Sequence, residues 1–258
     1  MRLMKRILSA AAVLALSASL LVGCSSGTAS SVPVSASSAA ESTVSSVEET
    51  ASSAVDENEA AAAQLLNDLT GSYQELWPVI LADEYKQTWL DDCTALVGED
   101  NAEAAFEKLS SMVTGDVYGE DAVKAYANGG GAYFCGFTNS LAILTFDGET
   151  STISGTDKDG NVLFSHAYHY IGMEPVRGLY EFESDDADSG EFTYFFLAPD
   201  TSAETYHIEF RYGSDAEALS QYDTGEYAYW LASGISTDCD QTMIDNCIAL
   251  FCTENLAG

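Results

Sequence analysis

Side chains able to do chemistry are few in this chain. It has three histidines among 258 residues: His166, His169 and His207. His207-Ile208-Glu209 sets an imidazole and a carboxylate two residues apart, and on a β-strand such residues share a face. Imidazole nitrogen and carboxylate oxygen are both zinc ligands, and three protein donors plus water is a sufficient set for that ion. His207 and Glu209 are therefore candidate metal ligands that need one more donor. His166 and His169 lie on another expected strand. Being three apart they face opposite ways, so at most one of them could complete the set. The same residues also have a plainer reading. Arg211 shares the face of His207 and Glu209, while Tyr206, Ile208, Phe210 and Tyr212 form the other. That is the pattern of a half-buried strand with a polar outer face, on which Glu209 simply neighbours Arg211. Protonation competes with metal for an imidazole, so affinity at this locus should fall below about pH 6.5.

The remaining motifs point to plain structure. Asp157-Lys158-Asp159-Gly160-Asn161 alternates oxygen-bearing side chains, but its Gly stands fourth, where a calcium-binding EF-hand loop needs it sixth. It reads as a hairpin turn. Asp185-Asp186-Ala187-Asp188 reads as a solvated acidic loop. Asp91-Asp92-Cys93 reads as a surface end of a helix. There is no Gly-rich phosphate loop and no Gly-x-Ser-x-Gly elbow, and nothing sets a serine beside a histidine, so no enzyme is expected.

Charge narrows the partners. Nine basic against 41 acidic side chains give a formal charge of −32. Nucleic acid is excluded, because neutralising phosphates requires clustered Lys and Arg. Docking on an anionic membrane through a basic patch is excluded for the same reason. Cationic partners, metal ions among them, fit such a surface.

The N-terminal segment reads as an address. Residues 1–23 carry Arg2, Lys5 and Arg6 before an apolar stretch too short to span a bilayer, the pattern of a secretory signal. Leu21-Val22-Gly23-Cys24 matches the bacterial lipoprotein signal, in which the Cys24 thiol is lipidated and becomes the new N-terminus. Two or more acyl chains hold a protein durably at a membrane. The expected location is extracytoplasmic, lipid-anchored to the bacterial cell membrane, with the anchor as the sole membrane contact. Residues 24–63 are dominated by Ser and Ala with no aromatic residue, a composition that cannot offset its ordering entropy. As flexible coil this tether spans on the order of 35 Å. Asp56 to Ala63 could begin a helix.

A folded domain is expected over residues 64–258, with helices first and strands after. Asp83 to Val97, Asn101 to Val113 and Gly119 to Asn128 show helical periodicity. Strands are expected at Ala132–Phe137, Leu141–Phe146, Thr150–Ser154, Val162–Ile171, Val176–Glu183, Phe192–Leu197 and Glu204–Tyr212, with hairpin links. Asp215 to Tyr222 and Asp240 to Phe251 look helical. About six or seven short strands suggest a small antiparallel barrel or sandwich. Five cysteines follow Cys24, namely Cys93, Cys135, Cys239, Cys247 and Cys252. The odd number leaves at least one thiol unpaired or bridged to another chain, no Cys-x-x-Cys suggests a zinc knuckle, and the pairings stay open.

Several segments, in order, resemble the ZinT/YodA family of extracytoplasmic zinc-binding proteins. Leu66-Asn67-Asp68-Leu69-Thr70-Gly71-Ser72-Tyr73-Gln74 is similar to its Leu-Ser-Asp-Trp-x-Gly-x-Trp-Gln opening. Tyr168-His169-Tyr170-Ile171-Gly172 is similar to its Tyr-Lys-Tyr-x-Gly strand, and Val176-Arg177-Gly178-Leu179-Tyr180-Glu181 to its Val-Arg-Tyr-Leu-Phe-Glu. Phe192 to Gly213 follows its long strand pair, and Tyr222-Asp223 with Tyr227 and Tyr229 stands where Met-Asp-Asn-Trp-Pro-Thr-Tyr-Tyr is expected. The resemblance spans about Gln64 to Phe251. It implies a mainly β fold, a calycin- or lipocalin-like antiparallel β-barrel with N-terminal helices and a C-terminal helix. It also implies binding of zinc or another divalent cation for acquisition or buffering, with the binding protein of a metal ABC transporter as a partner.

The resemblance weakens at the metal ligands. Anchored on Gly213, the family's His-x-His falls on His207-Ile208-Glu209 and its preceding lone His on Ala198. Anchored on Leu197-Ala198-Pro199, that lone His falls on Phe195. The family's C-terminal His has no counterpart after His207. One ligand is kept, one is exchanged for a carboxylate and one is lost, which implies a low-affinity site. The rival expectation is a lipocalin-like module that has lost the metal site. Its aromatic interior, with Tyr168, Tyr170, Phe192 and Tyr194, would take an apolar ligand or contact a partner protein.

Overall fold

The computed structural model describes residues 57–199 and 205–257. The signal segment, Cys24 and the tether up to residue 56 lie outside the described residues. Residues 57–68 form a helix, α1. Ordered structure thus begins before Gln64, with the helix start expected within Asp56 to Ala63 and inside the segment otherwise expected to be tether, because Ala62, Leu65 and Leu66 bury one face of α1 in the core. Four shorter or longer helices follow at Leu76–Ile80 (α2), Lys86–Val97 (α3), Glu99–Val113 (α4) and Glu120–Ala127 (α5), and two more at Ala216–Leu219 (α6) and Gln241–Leu256 (α7).

Eight strands close into one antiparallel barrel in sequential order: β1 Gly71–Glu75, β2 Ile143–Asp147, β3 Thr152–Thr156, β4 Val162–Met173, β5 Tyr180–Ser184, β6 Tyr194–Leu197, β7 Ile208–Gly213 and β8 Ala232–Ser236. This up-and-down closed barrel with helices at both ends of the domain is the calycin-like architecture expected, and closure leaves no free sheet edge. The seam pairs Tyr73 of β1 with Ser236 of β8.

The inner face is aromatic. Phe146 stands opposite Ile153, Phe182 opposite Phe195, Phe195 opposite Tyr212 and Leu197 opposite Phe210. Gly155 of β3 faces Phe164 of β4, whose ring occupies the space a Cβ would need, with ring atoms 2.4 Å from that position. The lumen is therefore filled by packed side chains. The expectation of an apolar ligand inside the barrel is corrected: Tyr168 is buried, with its hydroxyl donating to the Phe192 carbonyl at 2.5 Å, and Phe192 stacks on Phe164 at 4.0 Å. One end of the barrel is stopped by the end of α1. Gly148, in the β2–β3 turn, lies so close to Asn67 that a Cβ would come within 2.4 Å of its Cα, and the Gly148 amide donates to Thr70 Oγ1.

A helical layer covers the outer face near the seam. Leu76, Trp77 and Ile80 of α2, Trp89 and Cys93 of α3, Leu109 of α4 and Ile244, Ile248 and Phe251 of α7 form a second core with Ile235 of β8. Cys93, expected at a helix surface, is fully buried here. Ala132–Phe137 is not a barrel strand but an extended segment with isolated bridges from Phe134 to Thr114 and to Trp230. β1 and β8 take its place in the sheet.

Candidate functional site

β7 is buried on both faces. The polar outer face expected for it is not solvated, because the segment 214–231 packs over Arg211 and Cys247 of α7 lies beside His207. His207, Glu209 and Arg211 retain only 6%, 5% and 0% of their exposure. Burial of three ionisable groups demands partners, and each has them.

His207 stands just before β7. The preceding Tyr206 has φ 64°, a left-handed conformation that costs a bulky residue about 1–2 kcal/mol. That turn folds the His207 ring back so that Nδ1 lies 2.6 Å from the Thr205 carbonyl oxygen. A carbonyl only accepts, so Nδ1 carries the proton. Nε2 is left facing Glu209, 3.8 Å from Oε1. Burial pulls the imidazole down. Cys247 of α7 and Glu209, both beside the ring, outweigh it and hold the group well above the ordinary histidine value. The pair is thus an imidazolium facing a carboxylate, and the threshold of pH 6.5 expected from sequence moves upward. A folded-state value above the unfolded one stabilises fully below about pH 6.5 and is lost as pH rises through the folded value. Urea midpoints measured from pH 6 to 9 should therefore fall further for the wild type than for His207→Gln. Parallel curves would refute the pairing.

The neighbouring groups extend this polar seam. Ser233 of β8 stands opposite Glu209. Its amide donates to the Cys135 carbonyl. Burial first, then the Glu209 charge, pushes the Cys135 thiol up, against weaker opposite effects from Trp77 and Arg177. Further along β7, the Arg211 guanidinium donates to the carbonyls of Leu219, Gln221 and Tyr227. It lies 4.4 Å over the Tyr222 ring, and Arg177 lies 4.2 Å over the same ring. Fully buried Glu174 accepts from the Val176 and Arg177 amides and from the Tyr222 hydroxyl, placing a carboxylate beside the two cations. Glu209, neighbour of Arg211 on β7, has His207 as its ion-pair partner, while Arg211 engages backbone carbonyls.

The other two histidines are elsewhere. His166 points inward, opposite Ile153, with Nδ1 2.6 Å from Asp186. His169 points outward, with Nδ1 2.7 Å from Asp185 and Nε2 4.0 Å from Glu183. They face opposite ways as expected. Among the described residues neither is paired with His207 or Glu209. The acidic loop, read from sequence as merely solvated, is what engages them. Among the described residues no group of three or more His, Cys, Asp and Glu is arranged to hold a metal ion. His207 and Glu209 fit two positions of a zinc shell: tetrahedral bonds of normal length separate two such donors by roughly 3.4 Å, close to the spacing found. Cys247 of α7 lies beside the His207 ring. Sequence reasoning did not select Cys247, because nothing in its spacing says which strand α7 covers.

An open groove of about 330 Å³ lies outside the barrel, with Glu75, Trp77, Leu81, Phe134 and Cys135 in its wall. Among the described residues, the buried Trp77 indole nitrogen has no partner at full hydrogen-bonding geometry, and the Cys135 thiol lies beside it.

No family model and no curated protein matches the chain. Among the solved structures similar to this chain are the following two. The Zn(II)-bound ZinT-like domain of Streptococcus pneumoniae AdcA is 15% identical, with a TM-score of 0.45, over 72% of this chain and 89% of that one. Zn(II)-bound AdcA from the same organism is 14% identical, with a TM-score of 0.42, over 72% of this chain and 34% of that one.

Proposed function

We propose that this chain is an extracytoplasmic binding domain, held to the membrane through Cys24, that takes up a divalent cation, zinc, with low affinity for acquisition or buffering. The observation that carries the reading is the buried His207–Glu209 pair. Nδ1 is engaged by a backbone carbonyl, the arrangement that orients ligating histidines, and Nε2 faces a carboxylate 3.8 Å away. His207 Nε2 and Glu209 would hold the ion, with Cys247, beside the His207 ring, as the candidate third donor. Two placed donors rather than three support weak binding. A bound zinc ion would bring a positive charge that replaces the Nε2 proton, so this chain's own part is to bind the ion and release that proton.

Titration of the full-length protein with zinc by calorimetry tests this. Wild type should bind one equivalent and His207→Ala none, with affinity rising about tenfold per pH unit below the His207 value. Absence of heat in wild type at pH 8.5 ends the proposal. A second reading has its own observation in the groove beside Trp77: an apolar ligand or a protein partner seated outside the barrel. Zinc-independent binding, lost on Trp77→Ala and unchanged in His207→Ala, would favour it.

A further inference from the structure

We propose that Cys93 of α3 and Cys252 of α7 are joined by a disulfide in the mature protein. Their sulfurs lie 3.9 Å apart, from positions 159 residues apart in sequence, and both side chains are fully buried. A disulfide needs about 2.05 Å between sulfurs. The sulfurs thus have about 2 Å left to close, between two helices already packed together. The other described cysteines are placed differently. Cys135 lies between Trp77 and Ser233, Cys247 lies beside His207, and Cys239 is partly exposed. Cys247 and Cys252 are five residues apart on α7, so their side chains diverge by roughly 140° around the helix. One turns to the β7 side and the other to α3. The odd cysteine count then resolves into one bridge and three thiols, and the metal reading is unaffected because it draws on Cys247 alone.

The chemistry is thiol–disulfide exchange with a small or protein disulfide as oxidant. One thiolate attacks the oxidant's S–S bond and expels one thiol. The second thiolate then displaces the other half. Two S–H bonds are lost and one S–S bond forms, and the oxidant, taking two electrons and two protons, leaves as two thiols. Burial raises both thiols in the folded protein. The exchange therefore runs before the helices close over the pair.

The test begins with the full chain isolated in detergent from an oxidising compartment. Thiols are alkylated under denaturing conditions without reductant, and the digest is read by mass spectrometry. The expected product is a linked peptide pair containing Cys93 and Cys252, lighter by about 2 Da than the two thiol peptides together. Alkylation of both residues, or either one bridged elsewhere, overturns the proposal. A second arm refolds reduced full-length protein in a glutathione redox buffer. The bridge should form there even if the expected cellular address is wrong. Reduction should lower the Tm of the bridged protein by about 5–15 °C, and the Cys93→Ala/Cys252→Ala protein should be indifferent to reductant. A wild-type Tm equally indifferent to reductant also overturns the proposal.

Discussion

Arg211→Ala is expected to cost about 3–5 kcal/mol of folding stability, among the largest effects of any single change in the domain. The guanidinium is fully buried, and burial lowers it to about 10, with the nearby Arg177 cation adding to the fall and Tyr222 and Glu174 opposing it. It stays charged at neutral pH because three backbone carbonyls and the Tyr222 face solvate it in place of water. Removing it leaves those carbonyls unsatisfied and opens a cavity between β7 and the segment over it. It also leaves Glu174 with one cation fewer nearby. Lysine keeps the charge but cannot fork to several acceptors, so Arg211→Lys should recover less than half of the loss. Urea unfolding of the three proteins at pH 7 measures this. A loss under 1 kcal/mol for Arg211→Ala would show that the carbonyls find water instead.

Trp89→Ala should cost a similar ~3–5 kcal/mol. The side chain has no exposure, donates from Nε1 to the Ile80 carbonyl at 2.7 Å, and meets Phe251 edge-on at 5.9 Å. It thereby ties α3 to α2 and α7 at once. Trp89→Phe keeps an aromatic body but strands the Ile80 carbonyl, so about 1–2 kcal/mol is expected. The functional consequence is separable. Because Cys247 of α7 lies beside His207, a loosened helical layer should raise solvent access at His207 before the barrel opens, readable as faster hydrogen exchange at the Ile208 amide. Uniform exchange rates across the barrel would contradict that order of events.

Much of the architecture was legible because alternation on the barrel strands is clear. Leu144 and Phe146 in β2, and Phe164 and Tyr168 in β4, announce an inner face. β1 and β8 were missed for a physical reason. Gly71-Ser72-Tyr73-Gln74-Glu75 and Ala232-Ser233-Gly234-Ile235-Ser236 hold few branched or large residues, and pairing with neighbours makes them strands, not their own propensity. Ala132–Phe137 showed the reverse: strand-like residues at a place where the barrel is already closed. At the site, period-two spacing correctly put His207 and Glu209 on one face. It misjudged that face as wet, because a strand's pattern cannot say that a helix more than thirty residues later will cover it. Arg211 was read as a surface charge for the same reason.

Closure of the sheet by its first and last strands has a consequence for how the molecule comes into being. Tyr73 waits for Ser236, so until β8 has been made the sheet carries two raw margins able to zip onto strangers. Only when β8 arrives can the hoop lock, which makes this domain a late, all-or-nothing folder. Shortening it from the C-terminus should yield sticky, protease-sensitive material rather than a smaller stable fold.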